Sequence, residues 1–155
     1  MSRLLLALCV GAHLTLGGPA VLTAQDGNYD ENALRLEGHN GDVRIVRGAQ
    51  GTVLARISGF RTTDVAKLVA PSEQAMAEAR IFSHDYIPGS WIAGLGIATL
   101  GAAIGASRID DINRAIPAGL TISAAALLIY GGGRLQNAYN ALARSIWWYN
   151  RDLTK

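Results

Sequence analysis

Two stretches without a charged residue constrain this chain most. Between Asp85 and Arg108 lie 22 such positions, Tyr86 to Ser107, and between Arg114 and Arg134 lie 19, Ala115 to Gly133. Each is close to the ~20 residues that a helix needs to cross a hydrocarbon core. The connector 108–114 is short and polar (RIDDINR). A helical hairpin satisfies its backbone N–H and C=O groups internally, as lipid demands. Tyr86, Trp91 and Tyr130 fall near the ends of the spans, where amphipathic rings prefer the headgroup level. The competing fold is a buried soluble hairpin. Two helices this apolar would then need extensive apolar cover, and residues 25–85 do not supply it. The expected fold class is a mainly α membrane protein with a transmembrane helical hairpin, an amphipathic C-terminal helix and a small N-terminal β-hairpin/helix region.

The spans carry small residues at regular intervals. In the first, Gly94, Ala98, Ala102 and Ala106 recur every four positions, and Gly101 and Gly105 form a GxxxG beside them. In the second, Gly119 and Ser123 repeat the spacing. Small residues let helix backbones approach closely where lipid removes any hydrophobic drive to associate. Gly94, Ala98, Gly101, Ala102, Gly105, Gly119 and Ser123 are therefore the expected helix-packing set. They serve the pairing of the two helices, or self-association or docking to another envelope protein. No Asp, Glu, Lys, Arg or His lies inside either span. Transporters and proton relays place ionisable groups there, so the pattern argues against transport but leaves room for an oligomeric pore.

Charge and cysteine content narrow the function classes. Only 17% of the 155 residues are charged, with a formal charge of +2, against roughly 25% charged in a typical soluble domain. That excludes a strongly basic nucleic-acid binder. The single cysteine, Cys9, lies in an N-terminal apolar run, so no disulfide framework or Cys-based metal site is expected. Arg3, the run Leu4–Val10 and the first strongly polar residues after Ala24 form a secretory signal pattern, 1–24. Leu22 at the −3 position is the weak point of that cleavage site, and an uncleaved anchor is the alternative. The bulky Leu8 before Cys9 argues against a lipidation site.

Residues 25–85 form a small exported α+β region. Leu34 and Leu36, Val43 and Ile45, and Val53, Ala55 and Ile57 alternate with polar neighbours around Gly-rich turns at 38–41 and 48–51. That is the period of short antiparallel strands. Thr63 or Asp64 is placed to cap a short helix. Pro71 is placed to open a second one over 72–84, ending near Tyr86–Gly89. Beyond the spans, Leu135, Tyr139, Leu142, Ile146, Tyr149 and Leu153 recur at spacings of four and three. They form a helical stripe, widened by Trp147 and Trp148. Arg134, Arg144, Arg151 and Lys155 lie on the other side. Such a tail suits the plane of a membrane surface, or it packs on the ectodomain or a partner. Leu135, Tyr139, Leu142, Ile146, Trp147, Trp148 and Tyr149 are its candidate contact residues.

The layout resembles a loose group of uncharacterised bacterial exported two-span proteins. The matching pieces are SEQAMAEAR (Ser72 to Arg80), the Gly-rich hairpin 86–133, and LARSIWWYN (Leu142 to Asn150) with its Tyr-Asn pair. The hairpin is also similar to that of glycine-zipper envelope proteins, which implies a role in envelope integrity at most.

Chemistry-bearing patterns are sparse. His13, His39 and His84 are isolated and lack metal-ligand spacing. Asp110 and Asp111 read as solvated linker. Gly131–Gly133 lacks the Lys-Ser/Thr of a phosphate loop. No catalytic, metal or cofactor-binding residue is expected. The expected function is a non-enzymatic envelope protein, a structural or interaction subunit with the lipid bilayer and another envelope component as partners, and no nucleic acid. A small oligomeric pore or transport accessory, and a periplasmic ligand-sensing module, are the alternatives. A signal segment puts residues 25–85 and the tail in the periplasm, with the inner membrane favoured over the outer. The positive-inside rule mildly opposes this, because the linker carries two Lys/Arg and the tail four.

Overall fold

A computed structural model describes residues 27–39 and 41–155. The signal segment 1–24, with Cys9 and His13, and the turn residue Asn40 lie outside them. The elements run α1 (Gly27–Asn32), β1 (Leu34–His39), β2 (Asp42–Arg47), β3 (Thr52–Ile57), α2 (Val65–Leu68), α3 (Glu73–Ala106) and α4 (Ala115–Asp152). The described chain is mostly helical, with one three-stranded sheet near its N-terminal end.

The sheet is an antiparallel meander in the order β1-β2-β3. Its register sets Leu36 against Ile45, Ile45 against Ala55 and Val43 against Ile57. Because side chains alternate across a strand, these pairs share one face and Arg35, Glu37, Arg44 and Arg56 share the other. A register irregularity at Ile45/Val46 interrupts the β2-β3 pairing. The β2-β3 turn needs glycine at 48: its φ is +67°, and a Cβ there would stand 2.6 Å from the Glu31 carbonyl oxygen.

Both long helices are continuous where the sequence suggests breaks. Ser72, not Pro71, begins α3: its hydroxyl accepts from the Ala75 N–H at 3.3 Å. The helix then passes through Pro88 without ending. Proline removes one backbone donor, the N–H that would bond the His84 carbonyl, yet α3 packs on α4 across that rung and the packing carries it through. Likewise α4 runs unbroken from the linker to Asp152. The tail is therefore collinear with the second apolar segment, which leaves no independent helix to lie in a membrane plane. At 1.5 Å per residue the helices are about 51 and 57 Å long.

The molecule divides along these helices into a head and a hairpin. In the head, Leu34, Ile45, Ala55 and Ile57 of the sheet meet Val65 and Val69, Phe82 and Tyr86 of α3, and Leu142, Ile146 and Tyr149 of α4. Phe82, Ile45 and Leu142 are fully buried. Beyond Tyr86 and before Arg134 the two helices pack mainly on each other, with Phe60 of the head reaching Trp91 and Gly94. Ile87, Leu95, Ile97, Ile104, Ile122 and Ile129 are all exposed there. The apolar windows of α3 and α4 are 22% and 11% buried within the molecule, unlike core helices of a soluble protein.

Candidate functional site

The helix–helix seam follows a period of seven, not four. On α3 the buried positions Ala75, Phe82, Gly89, Gly96 and Ala103 are seven apart; on α4 Ala124, Gly131, Ala138 and Ser145 are too. Ala79 and Tyr86 on α3, and Leu142 and Tyr149 on α4, add the intermediate 3-4 steps. That is the geometry of a coiled-coil seam, which continues from the head into the hairpin. Backbones touch along it. A Cβ on Gly131 would stand 2.6 Å from the Ala93 nitrogen, one on Gly96 2.9 Å from Leu128 Cγ, and one on Gly89 3.1 Å from Arg134 Cβ.

The residues singled out from the four-residue spacing lie elsewhere. Gly101, Gly105 and Gly119 face open space, with nothing within 4 Å of a built Cβ. Ala98, Ala102 and Ser123 are exposed. Gly94 is covered from the head, by the Phe60 ring at 3.1 Å from its built Cβ. None of the seven forms the α3-α4 seam, and six remain on the outer surface of the hairpin. Gly89, Gly96, Ala103, Ala124 and Gly131, which do form it, were legible only as a seven-residue repeat.

Where the hairpin leaves the head, a polar cluster closes the seam. Asp85 is buried on α3. Its carboxylate accepts from Asn137 Nδ2 and lies 3.0 Å from His84 Nδ1 and 3.7 Å from Arg134. The hydrogen bonds from Asn137 and then His84 hold its carboxyl below the ordinary range, against the opposing effect of burial. Asp85, Arg134 and Asn137 line an open groove of 470 Å³ with Ile129, Tyr130 and Gly133. Arg134 stands 5.7 Å from the Tyr130 ring centroid, within cation–π range. A carboxylate kept ionised between an amide, an imidazole and a guanidinium is a latch between helices. Among the described residues no three His, Cys, Asp or Glu side chains gather in a way that could hold a metal ion. Gly131–Gly133 is mid-helix in α4, and Asp110 and Asp111 are exposed in the connector.

The tail is a wall of the head. Leu142, Ile146 and Tyr149 are in its core, with Leu135 and Trp148 packed against it. Tyr139 is 36% exposed and meets Tyr86 edge-on at 5.9 Å. Partial burial, and then Tyr86, push its phenol up to about 12. Trp147 alone of the seven tail residues stays largely outside, 57% exposed, with Trp148 edge-on to it and Arg151 stacked 3.8 Å over Trp148.

The Tyr-Asn pair has a structural reason that its residue types alone did not disclose. Asn150 accepts from the Leu34 N–H at 2.8 Å and donates to the Leu34 carbonyl at 2.7 Å. It thereby satisfies both backbone groups of that residue on the edge strand β1, as a neighbouring strand would. Ser72 donates to Asp152 at 2.6 Å, and Ser145 donates to the Ala75 carbonyl at 2.9 Å. The start of α3 is thus tied to the end of α4. Comparison with known proteins yields no match: no protein-family model, curated protein or solved structure is similar to this chain.

Proposed function

We propose that the chain is a non-enzymatic membrane protein of the bacterial cell envelope, in which the hairpin anchors a small α+β head that acts as a structural or interaction subunit. The observation that carries this reading is the exposure of large apolar side chains along the charge-free segments of two long helices that both return to one packed head. In water such a surface is a liability; in hydrocarbon it needs no partner. Because sheet and tail share one core, both lie on the same side of any bilayer that the hairpin crosses. With the head in the periplasm, and the inner membrane as the favoured location, the connector 108–114 faces the cytoplasm. Single cysteines at Asn113 and Lys155, in a Cys9→Ser background, test this in intact cells. An impermeant thiol reagent is expected to label Lys155→Cys and spare Asn113→Cys. The reverse pattern overturns the orientation, and full labelling of both overturns insertion. The subunit role predicts crosslinked partners in membranes; a protein that runs alone there argues against it.

A second reading, an oligomeric pore or transport accessory, draws on the outward stripe of Ala98, Gly101, Ala102 and Gly105, which is unused by α4. Small-residue stripes drive helix association in lipid. Replacing Gly101 and Gly105 with Leu is expected to disperse such an assembly in mild detergent, and an unchanged assembly sinks the idea.

A further inference from the structure

A turn of the head reaches down beside the hairpin. Ser58 and Arg61 exchange two backbone hydrogen bonds, of 3.1 and 2.9 Å, and Gly59 sits between them at φ +52°. Tyr86, buried on α3, donates its hydroxyl to the Gly59 carbonyl at 3.0 Å. The turn is therefore fixed to the helix and aims its tip, Phe60, along it. The Phe60 ring stacks on Trp91 with centroids 4.6 Å apart and rests over Gly94, where a Cβ would stand 3.1 Å from it.

This fixed aromatic pair is not sheltered. Phe60 is 49% exposed and Trp91 56%, and Tyr130 on α4 is 59% exposed. Trp91 lies six residues beyond Asp85, or about 9 Å along the axis. A bilayer adds roughly 5–8 Å of headgroup on each side of a hydrocarbon core of ~30 Å. With Asp85 and Arg134 among the headgroups, the Phe60–Trp91 pair falls where headgroups give way to acyl chains, the level that amphipathic rings favour.

We propose that the Ser58–Arg61 turn is a membrane wedge: Phe60 enters the headgroup–acyl boundary of the bilayer that the hairpin crosses and fixes the height of the head above it. The inference rests on the membrane reading above. Lipid is the chosen occupant because Leu95, one turn beyond Trp91 on the same side of α3, is also exposed and apolar, and Ile97 is exposed just beyond it. Arg61, exposed at the end of the turn, is placed to meet lipid phosphate while Phe60 points past it.

The test keeps Phe60 in place and reads its neighbour. In the full chain carrying Cys9→Ser, an environment-sensitive fluorophore is attached at Arg61→Cys, at Leu100→Cys in the hairpin, or at Gln50→Cys on the far turn. The proteins are reconstituted into phosphatidylethanolamine–phosphatidylglycerol vesicles containing nitroxide lipids. Strong quenching at 61 by a shallow nitroxide, quenching at 100 by a deep one, and none at 50 are expected. Adding Phe60→Ser should reduce the signal at 61 to that at 50. An aqueous spectrum at 61 with quenching at 100 overturns the wedge and leaves the membrane reading standing. Aqueous spectra at both overturn both. Quenching at 61 that survives Phe60→Ser overturns the role assigned to Phe60.

Discussion

The head and the hairpin are built on the same two helices and solve opposite problems. In the head, the seam of α3 and α4 is covered by a sheet, and large side chains such as Phe82 and Leu142 are fully buried. In the hairpin, the same seam is lined mainly by glycine and alanine, with Leu128 packed on Gly96, and most of the large side chains point outward. Ile122 is 72% exposed and Ile129 77%. One helix pair thus passes from inside-out burial to outside-in display within a turn or two of the Asp85–Arg134 latch. The head hides its large apolar side chains, as a surface facing water requires; the hairpin displays them, which suits hydrocarbon.

The comparison can be broken most forcefully at Phe82. Phe82→Ala empties the head core and should cost about 3–5 kcal/mol, measured by denaturant unfolding in a mild detergent. The hairpin counterpart is Ile122→Lys. It should leave head unfolding unchanged while opposing insertion by roughly 2.5–3.5 kcal/mol, read as loss of the membrane-integrated fraction. If Ile122→Lys unfolds the head instead, the division between the two regions is wrong.

Two glycines sharpen the seam. Gly131→Ala places a methyl against the Ala93 backbone and is expected to destabilise by about 1–3 kcal/mol, as overpacked cores do. Gly101→Ala meets nothing. It should be neutral, or stabilising by up to about 1 kcal/mol through helix propensity. Equal effects would mean that the two helices are rotated differently from the arrangement seen. Asn150→Ala, which strands the Leu34 N–H and carbonyl, should cost about 1–3 kcal/mol in the same unfolding measurement, with Asn150→Asp recovering only the bond from the N–H.

The smallest effect is in the pH profile. Hydrogen bonds from Lys155 and Ser72 hold the Asp152 carboxyl down at about 2. Its folded value is below the unfolded one, so its contribution is present above about pH 4 and fades as pH falls towards 2. Tyr139 works at the other end. Its phenol is raised to about 12, so its neutral form is favoured in the folded state, and stability declines as pH rises from about 10 to 12. Unfolding midpoints for Asp152→Asn should show a shallower acid limb, the remainder coming from Asp85, and those for Tyr139→Phe a shallower alkaline one.

Much of this architecture was legible in the residues, for local reasons. The charge-free segments mark both apolar helices, because a buried or lipid-facing helix cannot hold charges cheaply. The alternation at Leu34–Leu36, Val43–Ile45 and Val53–Ile57 marks the strands, because a half-buried sheet has a period of two. The 4-3 stripe from Leu135 to Tyr149 marks a helix with one apolar side. The Asn150 clamp on Leu34 was not legible, because the partners are 116 positions apart and an Asn after a Tyr fits many settings. Phe60 was not legible for the same reason: its meaning comes from Trp91 and Gly94, on another element.

The choice of seam shows where sequence stops. A Gly/Ala-rich helix carries several stripes of small residues, and each permits close approach equally well. Gly101 and Gly105 at a spacing of four look as suitable as Gly89 and Gly96 at a spacing of seven. Sequence alone determined that the chain has two long apolar helices, a short sheet and an amphipathic return. The tertiary structure decided which stripe each helix presents. Phe82, Tyr86, Leu142 and Tyr149 must point at the sheet to be buried, and their burial fixes the rotation of both helices about their axes. That rotation carries along the rigid helix into the hairpin, where Gly89, Gly96 and Gly131 fall into contact and Gly101 and Gly105 are turned outward.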